Sequence, residues 1–174
     1  GDVYKRQTLN SEGYASQCVY SLSSQNRIYQ FSYSAEGYLT GIVENIDDTE
    51  YSSTSLTYEN GDITSISSKM NGLENKFIYE PGEESSTYHL PCLGLLEIHP
   101  LTFHIEALYA GLLGKDPRHF TMHSCPAGSN DEKTVYSYGF DKKGNPSRMI
   151  CQTTYAGGQA SYYPYTRNIS ISFE

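Results

Sequence analysis

Between residues 27 and 34 the chain alternates strictly, with Tyr29, Phe31 and Tyr33 set against Gln30, Ser32 and Ser34. A period of two marks a strand with one buried face. Weaker alternation predicts further strands at 3–9, 15–22, 38–44, 52–59, 62–69, 74–80, 133–141 and 146–156. Near the end, Ile169, Ile171 and Phe173 oppose Asn168, Ser170 and Ser172. Such a strand is expected to pair inside the sheet, because at an edge it would be adhesive. Asn60-Gly61, Asn71-Gly72 and Pro81-Gly82 punctuate the pattern, the last closing the strand at 74–80. The prediction is a mostly β protein: a curved antiparallel meander of about ten strands, an open or partly closed barrel joined by short turns.

One phrase recurs four times. It reads Tyr33-Ser-Ala-Glu-Gly37-Tyr-Leu39-Thr-Gly-Ile42 in its clearest copy. It returns around Gly61 (with Ile63 and Ile66), around Gly144 (with Pro146 and Met149) and, worn, around Gly13 (with Ala15 and Cys18). Gly13, Gly37 and Gly61 stand 24 residues apart, which suits two strands and two turns. Each copy carries apolar or small residues two and five places after its glycine. That odd separation would send them to opposite faces of an ideal strand. Either a bulge intervenes, or the first residue belongs to the turn, or both faces carry apolar groups.

The pattern changes after Leu90. Leu101, Ile105, Leu108 and Leu112 follow helical steps, with Pro100 before them and Gly114 and Pro117 after. A helix is expected over 101–113, its apolar stripe covering one face or one end of the sheet. Residues 115–132 read as loop. The whole chain, 1–174, is one β domain: hairpin repeats over 3–80, an insertion over 90–132 and closing strands over 133–174.

Composition narrows the function classes. Seventeen tyrosines, no tryptophan, a hydrophobic fraction of 37% and a net charge of −8 suit a broad sheet with a wet face. No basic stripe is present, which argues against nucleic acid. No run approaches the length of a membrane helix. The hydroxyl-rich stretch 52–59 lacks the apolar belt of a membrane barrel, so a membrane-spanning role is not expected.

Specific chemistry is sparse, and no cofactor is predicted. All five histidines lie between His89 and His123. His119, His123 and Cys125 offer zinc-type ligands if the two imidazoles sit one helical turn apart, but no fourth ligand or standard spacing accompanies them. The same cluster, with Cys92, is the only place for a hydrolytic or metal-dependent enzyme. Cys18, Cys92, Cys125 and Cys151 allow three disulfide pairings, and Cys92–Cys125 would bridge the helical insertion in an oxidising compartment. The acidic pairs Asp47-Asp48, Glu83-Glu84 and Asp131-Glu132 fall in predicted turns and read as solvated charge.

The glycine hairpins, the Leu93-Gly-Leu-Leu stretch, the Tyr109-Ala-Gly-Leu-Leu-Gly-Lys115 string and the Tyr-rich closing strands together resemble a family of secreted gut-bacterial lipoproteins, a domain of unknown function with a porin-like β fold. The likeness runs from about Gln30 to the end. It implies a curved, largely single-layer sheet and export to the periplasm or cell surface, with lipid anchoring from a segment preceding Gly1. It implies no activity and no catalytic residues. The Tyr-x-x-x-Gly-x-Leu phrase also resembles the tyrosine–aspartate repeats of bacterial surface shells, although Ser34 or Glu59 replaces the aspartate here.

The residues themselves lead to a non-enzymatic binding or scaffold module. Tyr29, Tyr33, Tyr136, Tyr138, Tyr155 and Tyr163 would line sheet faces. On a concave face they would stack on a glycan or hold a peptide or protein partner. The structural alternative for the same residues is cross-strand packing.

Overall fold

The structure is a computed structural model that describes residues 4–22, 25–85, 107–108, 110–129, 131–155 and 165–170. Eleven strands form one antiparallel sheet in strict chain order. They are β1 (Tyr4–Leu9), β2 (Ala15–Leu22), β3 (Gln25–Tyr33), β4 (Leu39–Ile46), β5 (Thr49–Glu59) and β6 (Asp62–Met70). After them come β7 (Leu73–Ser85), β8 (His119–Pro126), β9 (Glu132–Phe140), β10 (Pro146–Tyr155) and β11 (Tyr165–Ser170). The order never returns on itself, so among the described residues the sheet is open, with β1 and β11 at its ends.

The repeated phrase builds four hairpins whose turns all lie at one end of the meander. Their glycines adopt φ of 86°, 91°, 87° and 86°, a region that side chains disfavour. The residues two and five places beyond each glycine are brought to one face by a bulge. In every copy the register slips by one residue, leaving Ser16, Thr40, Thr64 or Ser147 without a cross-strand partner. Each bulged residue carries a hydroxyl. Three of them donate to the opposing carbonyl: Ser16 to Thr8 (3.1 Å), Thr64 to Thr57 (3.3 Å) and Ser147 to Gly139 (3.2 Å). Thus Leu39 with Ile42, and Ile63 with Ile66, are buried together.

Four expectations need correction. Residues 119–126 form β8 instead of loop, and β8 pairs with β7 over most of its length. Pro81-Gly82 does not close a strand: β7 runs through to Ser85 with register shifts beside Pro81, the irregularity that a residue lacking an N–H imposes. The final strand is β11, and it pairs with β10 at the end of the sheet, not inside it. Of the predicted helix 101–113, only Ala107 and Leu108 are helical among the described residues. Residues 110–111 turn, and Gly114 makes a bridge to Tyr38. Residues 101–106 and 109 lie outside the described residues, as do Cys92 and the other histidines of the insertion.

The packing divides in two. A larger cluster joins Tyr29, Phe31, Leu39, Ile42, Leu56 and Ile66 of the sheet to Ala107, Leu108 and Leu113. A smaller one gathers Phe120, Tyr136, Met149 and Cys151. The larger cluster also holds a buried carboxylate. Glu44, 2% exposed, accepts from Tyr29 (2.9 Å), Arg27 (3.0 Å) and Ser52 (3.1 Å). A buried charge persists only when neighbours saturate it this fully.

Candidate functional site

Most of the tyrosines singled out from the sequence are structural. Tyr29 is 1% exposed and committed to Glu44, and Tyr136 is 3% exposed with its hydroxyl 2.8 Å from Ser124. Burial first, and then the neighbouring Glu44 carboxylate, pushes the Tyr29 phenol well above its ordinary pKa. Tyr33 is half-buried and donates to the carbonyl of Ala15; burial raises its pKa as well. Tyr138 stacks on Phe120 at 4.7 Å and donates to Thr121. Tyr155 is 42% exposed, on the strand next to the sheet's end. Tyr163 lies outside the described residues.

The metal candidates do not converge. His119, His123 and Cys125 lie along strand β8, not on a turn of helix, and register shifts fall between the two histidines. Four residues of strand span about 13 Å, too far for two imidazoles to share an ion. Each histidine has a different carboxylate partner: His119 Nδ1 lies 2.8 Å from Asp62, and His123 Nδ1 lies 3.2 Å from Glu80. No group of three metal-ligating side chains occurs among the described residues. Cys125 carries a free thiol, and Cys92, its expected disulfide partner, lies outside the described residues.

An open cleft instead lies at the turn end of β3–β6, with a volume of about 800 Å³. It is walled by Tyr38 and Tyr58, whose ring centroids are 5.0 Å apart, with Thr57 and Asn60 beside them and Lys115 and Arg118 across from them. The fold positions each wall by a repeated device. The residue after each of the first three repeat glycines reaches sideways to the next element: Tyr14 stacks on Tyr33 (5.3 Å), Tyr38 packs at a tilt against Tyr58, and Asp62 binds His119. Each of those tyrosines also lies over the bare Cα of the next glycine. A Cβ on Gly37 would stand 3.4 Å from the Tyr14 ring, and one on Gly61 only 2.7 Å from the Tyr38 hydroxyl.

Residues 112–119 form a strap across these turns. Leu112 accepts from the Ala15 N–H (2.7 Å), Lys115 donates to Gly37 (2.9 Å) and Arg118 donates to Gly61 (3.0 Å). His119 N–H then donates to the Asp62 carboxylate (2.8 Å). The ammonium of Lys115 sits 6.0 Å above the Tyr38 ring. None of Tyr38, Tyr58, Lys115 or Arg118 stood out in the sequence. The signal available was a tyrosine directly after two of the repeat glycines.

Comparison with known proteins agrees with this architecture. A family profile described as a domain of unknown function (DUF4595) with porin-like fold matches residues 2–148. Among solved structures, a porin-like protein from Bacteroides uniformis ATCC 8492 superposes with a TM-score of 0.81 at 27% identity, covering 97% of this chain and 68% of that one. No match was found among the curated proteins.

Proposed function

The chain belongs to the family of unknown function with porin-like fold, and from that premise we propose that it is an exported, non-enzymatic module that binds a saccharide chain at the Tyr38–Tyr58 cleft. The observation that carries this reading is the aromatic pair itself, half-buried in the wall of an open cleft and ringed by hydroxyl, amide and charged groups on the sheet. Paired rings offer flat apolar area to the C–H faces of sugars, while short polar side chains meet their hydroxyls. Periplasm or cell surface is the proposed location, supported by the porin-like relative from Bacteroides. The outward positions of β5 (Ser53, Ser55, Thr57 and Glu59) are polar, which supports a module that does not contact lipid.

Screening on a glycan array followed by calorimetry tests the proposal. A saccharide should bind the wild-type chain, and Tyr38→Ala or Tyr58→Ala should weaken it about tenfold, the worth of one stacking contact. Absence of any saccharide binding at millimolar concentrations overturns it. Cleavage of a bound chain by wild-type protein would replace it with a hydrolytic role.

A further inference from the structure

We propose that the saccharide held at this cleft is acidic, a chain of uronic-acid residues, an inference that rests on the saccharide reading above. Two cations are delivered to the cleft by the fold. The backbone N–H of Lys115 is tied to Gly37 and that of Arg118 to Gly61. Their stems cross the same two glycines: Lys115 Cε lies 3.5 Å, and Arg118 Cδ 3.2 Å, from where a Cβ would stand. Three extended residues of strap cover about 10 Å, the distance across two strand spacings. The strap therefore places one positive charge per hairpin, in step with the sheet, along the rim of the aromatic cleft.

These charges stand out against their surroundings. The chain carries a net charge of −8, a field that disfavours polyanions elsewhere on the surface. Arg118 is exposed and makes no ion pair among the described residues, and its planar fork suits a carboxylate. Lys115 is opposed by one acid of the cleft, Glu36. The Ser34 hydroxyl first, then a backbone N–H and Lys115, hold the Glu36 carboxyl below its ordinary pKa, so it is ionised at neutral pH. A neutral sugar needs neither cation. An acidic chain lying along the turns would meet both, with its ring faces on Tyr38 and Tyr58.

Calorimetry with oligosaccharides of galacturonate, mannuronate and guluronate, their methyl esters and polyglutamate tests this. The ester keeps the sugar skeleton and removes the charge. The free acids should bind about tenfold tighter than the esters, with affinity falling as salt rises. The double variant K115Q/R118Q should erase that difference at an unchanged melting temperature, because both backbone donors remain. Glu36→Gln should tighten the acids about twofold. Equal binding of acid and ester overturns the acidic inference and leaves saccharide binding standing. Failure of every saccharide overturns both. Polyglutamate binding as tightly as the uronates would show that charge alone is recognised, and would overturn the inference in favour of an acidic peptide.

Discussion

The three hairpins around Gly13, Gly37 and Gly61 and the fourth around Gly144 share one phrase, one bulge and one glycine conformation, yet they are held by different means. The first three interlock: Tyr14 lies over Gly37, Tyr38 over Gly61, and the strap from Leu112 to His119 is bonded to each turn in sequence. In the fourth, the residue after the glycine is Asn145, and it turns back to its own hairpin, donating to Asp141 at 3.0 Å. Its strands rest on a small cluster around Phe120 and Met149. They join the rest of the sheet through a β8–β9 seam with just two registered pairs, His123 with Val135 and Ser124 with Thr134. The phrase therefore encodes a hairpin. The single residue after the glycine decides whether that hairpin locks to its neighbour.

The largest test of this contrast is a pair of core truncations. Ile66→Ala, in the interlocked region, and Met149→Ala, beyond the seam, both remove fully buried side chains and should each cost about 3 kcal/mol. They should differ in what opens. Hydrogen exchange should show Met149→Ala loosening β9–β11 alone, whereas Ile66→Ala lowers protection throughout β1–β7. Uniform loss in both variants would mean that the seam is no boundary.

A smaller effect separates the two uses of glycine. At Gly13 nothing lies within 4 Å of an added Cβ, so Gly13→Ala should cost only the strain of positive φ, about 1 kcal/mol. At Gly61 the same change also meets the Tyr38 hydroxyl and Arg118, and should cost about 2–3 kcal/mol and distort the cleft. Urea denaturation of the two variants decides, and equal costs would remove the interlock from the account.

The smallest effect concerns alkaline pH. Tyr29 and Tyr33 both lie on β3, in the interlocked region, and burial raises both phenols above the ordinary tyrosine value of about 10. The folded state then holds these protons more tightly than the unfolded state. Their contribution is complete below about pH 10 and is lost as pH climbs above it, by at most about 1.4 kcal/mol per pH unit for each group. Tyr29→Phe or Tyr33→Phe should flatten the fall in melting temperature between pH 10 and 11. An unchanged slope would sink this assignment.

Much of the architecture was legible because the hairpin code is local. Gly37, Asn60-Gly61 and the alternation of Tyr29, Phe31 and Tyr33 announce turns and strands within a few residues. The bulge was visible only as a parity puzzle, since its solution depends on the partner strand. β8 escaped because the faces of 119–126 mix Phe120 and Met122 with Ser124, and Thr121 with two histidines, leaving no apolar alternation to see. The cleft escaped for a related reason. Lys115 and Arg118 sit in an irregular segment whose place is set by backbone hydrogen bonds to turns more than fifty residues away, and sequence spacing carries no record of such pairing. Aromatic content misdirected attention as well: the cleanest alternating tyrosine, Tyr29, is core, while the rings lining the cleft stand beside turns.

The bulged residues have one further consequence. Each acts as a parity correction: it is an extra position that lets apolar residues three apart, such as Ile63 and Ile66, share one face. Deleting Thr64 would make Ile63 and Ser65 neighbours opposite Tyr58 and Thr57, so the rest of β6 would keep its facing and only the bulge would be lost. A one-residue deletion at Thr64 should thus lower the melting temperature less than deletion of Ser67, which lies in regular register and whose loss would turn Ser68 away from Thr54.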